Sequence, residues 1–138
     1  MKTYKELVNK GYSAQSIFNL INESEREKLI EEANERAKAS PSGIAFKPGI
    51  GNLTRPAKHN DVPDVASAWA DYCNYKWPIN DATHCKSAIG YFNQDGMQDA
   101  GKYTDSEWAA LGKAIAIAAT KYLGVDYIYE GKKIIRKE

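Results

Sequence analysis

Apolar positions recur at helical spacing over most of the first 40 residues. In "AQSIFNLI", Ile17, Leu20 and Ile21 stand three and four residues apart, which predicts a short helix capped by Ser13. The preceding "TYKELVNKG" predicts another, closed by Gly11, a residue that takes positive φ without strain. A third helix opens at Asn22 or Ser24 and runs to about Ala39. It is charge-dense, with Glu32 and Arg36 one turn apart and a thin apolar stripe of Leu29, Ile30, Ala33 and Ala37. The run "SPSG" at Ser40–Gly43 ends it.

The pattern then breaks. Pro41, Pro48, Pro56 and Pro63, with Gly43, Gly49 and Gly51, exclude a long helix or a central strand over 41–63. Ile44, Phe46, Ile50 and Leu53 are more than a free linker needs, so this arm is expected to wrap onto a surface. Helical signals resume near Val62. "DVASAWADYC" suggests a short helix with Trp69 and Tyr72 packing. After an extended run stopped by Pro78, Asp81 caps a helix to about Asn93 with Cys85, Ala88, Ile89 and Phe92 on one face. "QDGMQDAGKY" reads as a loop. Thr104 with Glu107 forms a capping box for a long helix ending at Gly124, its stripe Trp108, Leu111, Ile115, Ala118 and Tyr122. The tail "VDYIYEGKKIIRK" alternates and turns at Glu130-Gly131, a β-hairpin that must pack Ile128, Ile134 or Ile135 on the helices to persist.

These elements give a mainly α fold. An N-terminal helical hairpin (1–40) leads through a Pro/Gly-rich arm (41–60) into a C-terminal helical unit (61–138) ending in a short β-hairpin. The 138 residues suffice for a core without staples. A net charge of +1 without strong asymmetry provides no global field toward nucleic acid or an anionic membrane. The two cysteines make no disulfide framework, "MKTYKELVNKG" has no signal-peptide core, and no apolar run is long enough to span a bilayer. The expectation is an intracellular protein with reduced thiols.

Candidate chemistry is thin. His59, Cys73, His84 and Cys85 are the zinc-type residues, all within a short stretch. No pair has the usual ligand spacing, and side chains of neighbours on one helix diverge by about 100°, so no metal is expected. The same divergence argues against Cys85 and His84 as nucleophile and base. Counted from Asp95, the loop to Ser106 lacks the glycine and glutamate of a calcium loop. "KPGIGN" lacks the strand and helix of a phosphate cradle. No cofactor and no enzyme activity are expected. "YKELVNKGYSAQSIFNLIN" has helix-turn-helix spacing similar to lactose-repressor-type headpieces. Residues 4–22 would then read DNA through Ser13, Gln15, Ser16 and Asn19. That helix has no Arg or Lys and the next is rich in Glu, so nucleic acid is the less favoured partner.

The stretches "VPD" (Val62–Asp64), "NYKWPINDATHCKSAIGYFNQ" (Asn74–Gln94), "KYTDSEW" (Lys102–Trp108) and "AIAIAATKYLG" (Ala114–Gly124) carry a resemblance. Together, residues 61–124 resemble a small domain of unknown function found in bacteriophage and prophage proteins. It occurs there alone or at the C-terminus of head-maturation and capsid-related proteins. Cys85 and the terminal hairpin depart from the family pattern. The resemblance implies a phage or prophage origin, hence the host cytoplasm or the virion, and transfers no functional residues. Nine Tyr and three Trp exceed what a core this size needs. The expected function is therefore a non-enzymatic accessory protein that binds a protein partner, a virion component or a host factor such as a defence complex. Its expected anchors are Phe46, Trp69, Tyr72, Tyr75 and Trp77.

Overall fold

The computed structural model describes residues 10–12 and 14–137. Helix α1 spans Ala14–Leu20 and α2 spans Glu23–Ala39. Asn22 caps α2, its Oδ1 accepting the Glu25 N–H at 2.8 Å. The helix expected before Gly11 lies outside the described residues, so the structure shows α1 and α2 but does not establish the expected N-terminal hairpin. Gly11 itself has φ 81°. After the arm and two short 3-10 turns, Ala57–His59 and Ala66–Ala68, comes strand β1, Trp69–Asp71. It pairs antiparallel with β2, Lys76–Pro78, in the register Trp69↔Pro78 and Asp71↔Lys76.

This hairpin replaces the short helix expected over "DVASAWADYC". Val65 is already extended at φ −136°, and within this stretch only the 3-10 turn Ala66–Ala68 precedes Trp69. The competing interaction is non-local: backbone pairing with a strand seven residues on outweighs a weak local preference.

Helices α3 (Ala82–Phe92) and α5 (Asp105–Leu123) form the centre of the larger core, with the hairpin β3 (Tyr127–Glu130) and β4 (Lys133–Arg136) laid across α5. Asp81 caps α3 through the His84 N–H at 2.8 Å. Thr104 and Glu107 form the reciprocal box on α5, and Gly124 closes it at φ 73°. A four-residue helix, α4 (Met97–Ala100), occupies part of the stretch read as loop; Gly96 at φ 83° turns the chain into it. The core is aromatic: Phe92 stacks on Trp108 at 3.9 Å, and Trp77 meets both rings edge-on. Trp108, Leu111 and Ile115 are buried as their spacing predicts, but Tyr122 is 42% exposed. The covered face of α5 drifts instead through Gly112, Ala116 and Ala119, where β3 packs on the helix as well as α3. In the tail Ile134 takes the buried position while Ile135 faces out. The side-chain amide of Asn93 pairs with both backbone groups of Ile134, donating to its carbonyl and accepting from its N–H, each at 2.8 Å.

A smaller core joins the N-terminal helices to the arm. Ile17, Ile21 and Leu53 are buried together, with Leu29, Ile30 and Phe46 against them. Nearer the start of the arm, Ile44 enters the larger core. The arm is also fastened through polar groups. Asn74 accepts the Lys47 N–H at 2.8 Å and donates to the Ala45 carbonyl at 3.1 Å. A Cβ on Gly51 would collide with that same amide. Arg36, from α2, aims its guanidinium at four carbonyls: Asn52 and Leu53 of the arm, Tyr72 and Cys73 of the β1–β2 turn. The same group lies 4.2 Å over the Tyr75 ring.

Candidate functional site

The β1–β2 turn gathers most of the chemistry. Asp71 is fully buried. Its carboxylate accepts from the Tyr103 hydroxyl at 2.7 Å and from the Asn74 amide at 3.0 and 3.1 Å. Burial pushes the Asp71 carboxyl above its ordinary value, and those hydrogen bonds pull it partly back. Burial and the Asp71 charge push the Tyr103 phenol far up, so it stays the donor. Tyr72 and Tyr75 both donate to Asp64, at 3.0 and 2.8 Å.

Tyr75 in this turn, at φ 48°, and Trp77 within β2, at φ 63°, hold left-handed backbone without being glycine. Such a conformation costs on the order of 1–3 kcal/mol per residue and persists where the surroundings over-determine it. Between them stands Lys76. All three line a cavity of about 510 Å³. Its aromatic wall is completed by Tyr91 and Tyr103, with Met97 beside them. Nitrogen-bearing side chains also converge there: Lys58, His59, Lys76 and His84. Among the described residues that line it, none is Asp or Glu.

The environment of these groups is uneven. Burial lowers the Lys76 ammonium's proton affinity, Asp71 opposes that, and Lys58 adds to it. Burial and then Lys58 push His59 below its ordinary value. His59 also meets Trp69 edge-on at 5.8 Å. His84 is held by Asp81 at 2.7 Å on Nδ1 and by Asp61 at 3.4 Å on Nε2. Backbone and side-chain bonds to His84 keep Asp81 below the ordinary carboxylate value.

The residues expected as partner anchors divide. Trp69 is 0% exposed and Tyr75 5%. Trp69 spends its indole N–H on the Pro63 carbonyl at 2.8 Å, and its ring packs edge-on against Tyr75. Outward anchoring by these two is corrected: both are packing residues, although Tyr75 shows an edge to the cavity. Phe46, Tyr72 and Trp77 are partly buried, and of these Trp77 lines the cavity. Lys58, Lys76, Tyr91 and Met97 were not singled out from the sequence. Their grouping depends on the β1–β2 turn meeting α3 and α4, which no local spacing announces.

The zinc-type residues do not meet on one point. Cys73 Sγ donates to the Ala33 carbonyl and Cys85 Sγ to the Ile79 carbonyl, while His84 holds two carboxylates. Among the described residues no group of three or more His, Cys, Asp or Glu could hold a metal ion. Of the DNA-reading candidates, Ser16 and Asn19 lie on α1, a helix with no basic residue in its last turn. Ser13 and the Gln15 side chain lie outside the described residues. Among the described residues no helix is long and apolar enough to cross a membrane.

No curated protein and no solved structure matches the chain. Residues 56–128 match a family of unknown function (DUF6582). The match takes in the β1–β2 turn, α3, α4, α5 and every residue of the cavity except Asn52. It covers more than half of the chain, and the protein belongs to this family of unknown function.

Proposed function

We propose that this protein is a non-enzymatic phage or prophage accessory protein that binds a protein partner, a virion component or a host factor, at the mouth of the cavity. The phage setting rests on the sequence resemblance of residues 61–124 alone, and with it the host cytoplasm or virion as location. The observation that carries the binding reading is the cavity's wall. Four aromatic residues, Tyr75, Trp77, Tyr91 and Tyr103, line one space of about 510 Å³, and two of them sit on left-handed backbone. Strain of this kind accumulates at ligand clamps, and aromatic pockets of this size are the common anchor of recognition. A binding role rather than a catalytic one is supported by how the ionisable groups are engaged. Tyr103 is bonded to Asp71 and His84 to two carboxylates, while both thiols bond backbone carbonyls.

The test is capture from an infected-cell lysate on immobilised protein, with variants in parallel. Tyr91 is 56% exposed and lines the cavity, so Tyr91→Ala should abolish capture without disturbing the core. Ile117 is 73% exposed and does not line it, so Ile117→Ser should capture as the parent does. Identical capture by parent and Tyr91→Ala refutes the proposal.

A further inference from the structure

We infer that the cavity receives an acidic segment of the partner, with a carboxylate between Lys58 and Lys76 and a neighbouring apolar side chain against Trp77 and Tyr91. This rests on the partner-binding reading above and names the chemistry of what is bound.

The other half-buried lysines supply the contrast. Lys47 and Lys133 each have a carboxylate within 4 Å, whereas lysines outside the cavity that have none, such as Lys86 and Lys113, are exposed. Among the described residues, Lys58 and Lys76 have none, and both face the cavity. Lys76 is half-buried. A buried ammonium without a counter-ion is costly unless something supplies one. The one carboxylate that acts on it, Asp71, is already shared by Tyr103 and Asn74. Lys58 also lies close enough to Lys76 to weaken its hold on a proton. An anion between the two relieves burial and repulsion together.

The remaining surroundings select which anion. Asp61 and Asp81 sit on the His84 side, so a chain of phosphates crossing the mouth meets acid as well as base. A short peptide with one or two carboxylates does not. Met97 and the rings of Trp77 and Tyr91 form the apolar side of the cavity, where a thioether adapts to the shape of an incoming side chain. The acidic-aromatic or acidic-aliphatic peptide is therefore favoured over nucleic acid and over free phosphate.

The experiment is calorimetric titration of the full chain with the peptide Ac-Ala-Asp-Phe-Glu-Ala-NH2 at low salt. In parallel it is titrated with its neutral counterpart Ac-Ala-Asn-Phe-Gln-Ala-NH2, inorganic phosphate and an oligothymidylate. The acidic peptide should bind saturably, and the neutral one roughly tenfold or more weakly, as expected for losing charge-assisted bonds. Lys58→Glu, at an exposed position, and the milder Lys76→Gln should each lose a comparable factor, while Lys113→Glu on α5 should lose nothing. No saturable binding of the acidic peptide, equal binding of the neutral one, or tighter binding of oligothymidylate or phosphate overturns the inference. Lysate capture separates this from the underlying reading. Capture lost in Tyr91→Ala but kept in Lys58→Glu leaves partner binding standing and removes the acidic segment. Capture kept in both removes the partner-binding reading itself.

Discussion

Arg36 ties α2, the arm and the β1–β2 turn together, and its removal has a calculable effect. Its Nη2 approaches the carbonyls of Cys73 at 2.9 Å, Leu53 at 3.2 Å and Asn52 at 3.4 Å, while Nε points at Tyr72 at 3.4 Å. Three N–H bonds thus serve four acceptors, so some are shared and long. At about 1 kcal/mol for each of three charge-assisted donors, with about 0.5–1 kcal/mol for the guanidinium over the Tyr75 ring, Arg36→Ala should lose about 3–4 kcal/mol. That is a large part of the roughly 5–15 kcal/mol typical of a whole domain. Arg36→Lys should recover less than half, because an ammonium is a point charge that cannot fork across two segments. Urea denaturation gives the loss of stability, and limited proteolysis between residues 41 and 63 reports release of the arm. An alanine variant within about 1 kcal/mol of the parent, or an arm cut no faster, would show that the fork is incidental to how the arm is held.

Three further outcomes follow from the packing and the titrations. Gly112→Ala gains about 1 kcal/mol of helix propensity. However, its Cβ would press on the Tyr129 ring and lie 2.7 Å from Phe92 Cζ, inside the stacked core. Overpacking of about 1–3 kcal/mol should make the variant net less stable in thermal unfolding, and a gain in Tm would refute that. Burial pushes both the Cys73 and Cys85 thiols up to about 11, so iodoacetamide should label neither at neutral pH until denaturant is added; rapid labelling of the native protein would contradict their buried placement. For Glu107, burial alone would raise the carboxyl, but the hydrogen bonds from Lys47 and Thr104 outweigh it and hold the group below its ordinary value. The folded state then binds this proton more weakly than the unfolded chain. The stabilisation is therefore full above the ordinary glutamate value of about 4.3 and is lost as pH falls below that through the folded value. Denaturation curves of the parent and Glu107→Gln should converge over that window, and parallel pH profiles would count against it.

Helix starts were legible because they are local. Asn22, Asp81 and Thr104 each cap within three residues of themselves, and Gly124 ends α5 by its own backbone freedom. The terminal hairpin was legible for the same reason, its turn and alternation being contiguous. The β1–β2 hairpin was not. Its strands are three residues long, and left-handed φ falls on Tyr75 in the turn and Trp77 in β2, where sequence reasoning looks for Gly or Asn. Tyr122 was misplaced because a single stripe cannot describe a helix such as α5, which packs against both α3 and β3. Trp69 and Tyr75 show the limit of reading aromatics by abundance: composition counts rings, and only the tertiary structure says which of them face inward. The cavity draws on the arm, the β1–β2 turn, α3 and α4, so no contiguous motif could have marked it.

The amide of Asn93 occupies the place a neighbouring strand would take beside Ile134, meeting both its N–H and its carbonyl. Lys133 reinforces the arrangement by reaching the Asn93 carbonyl at 2.6 Å. An open rung here would sit beside "KIIR", a short β-forming run of the kind that recruits strands from other molecules. By closing that rung with a side chain, α3 blunts the outer edge of β4. The helical unit can thus carry a terminal hairpin without offering it as a seed for intermolecular sheet growth.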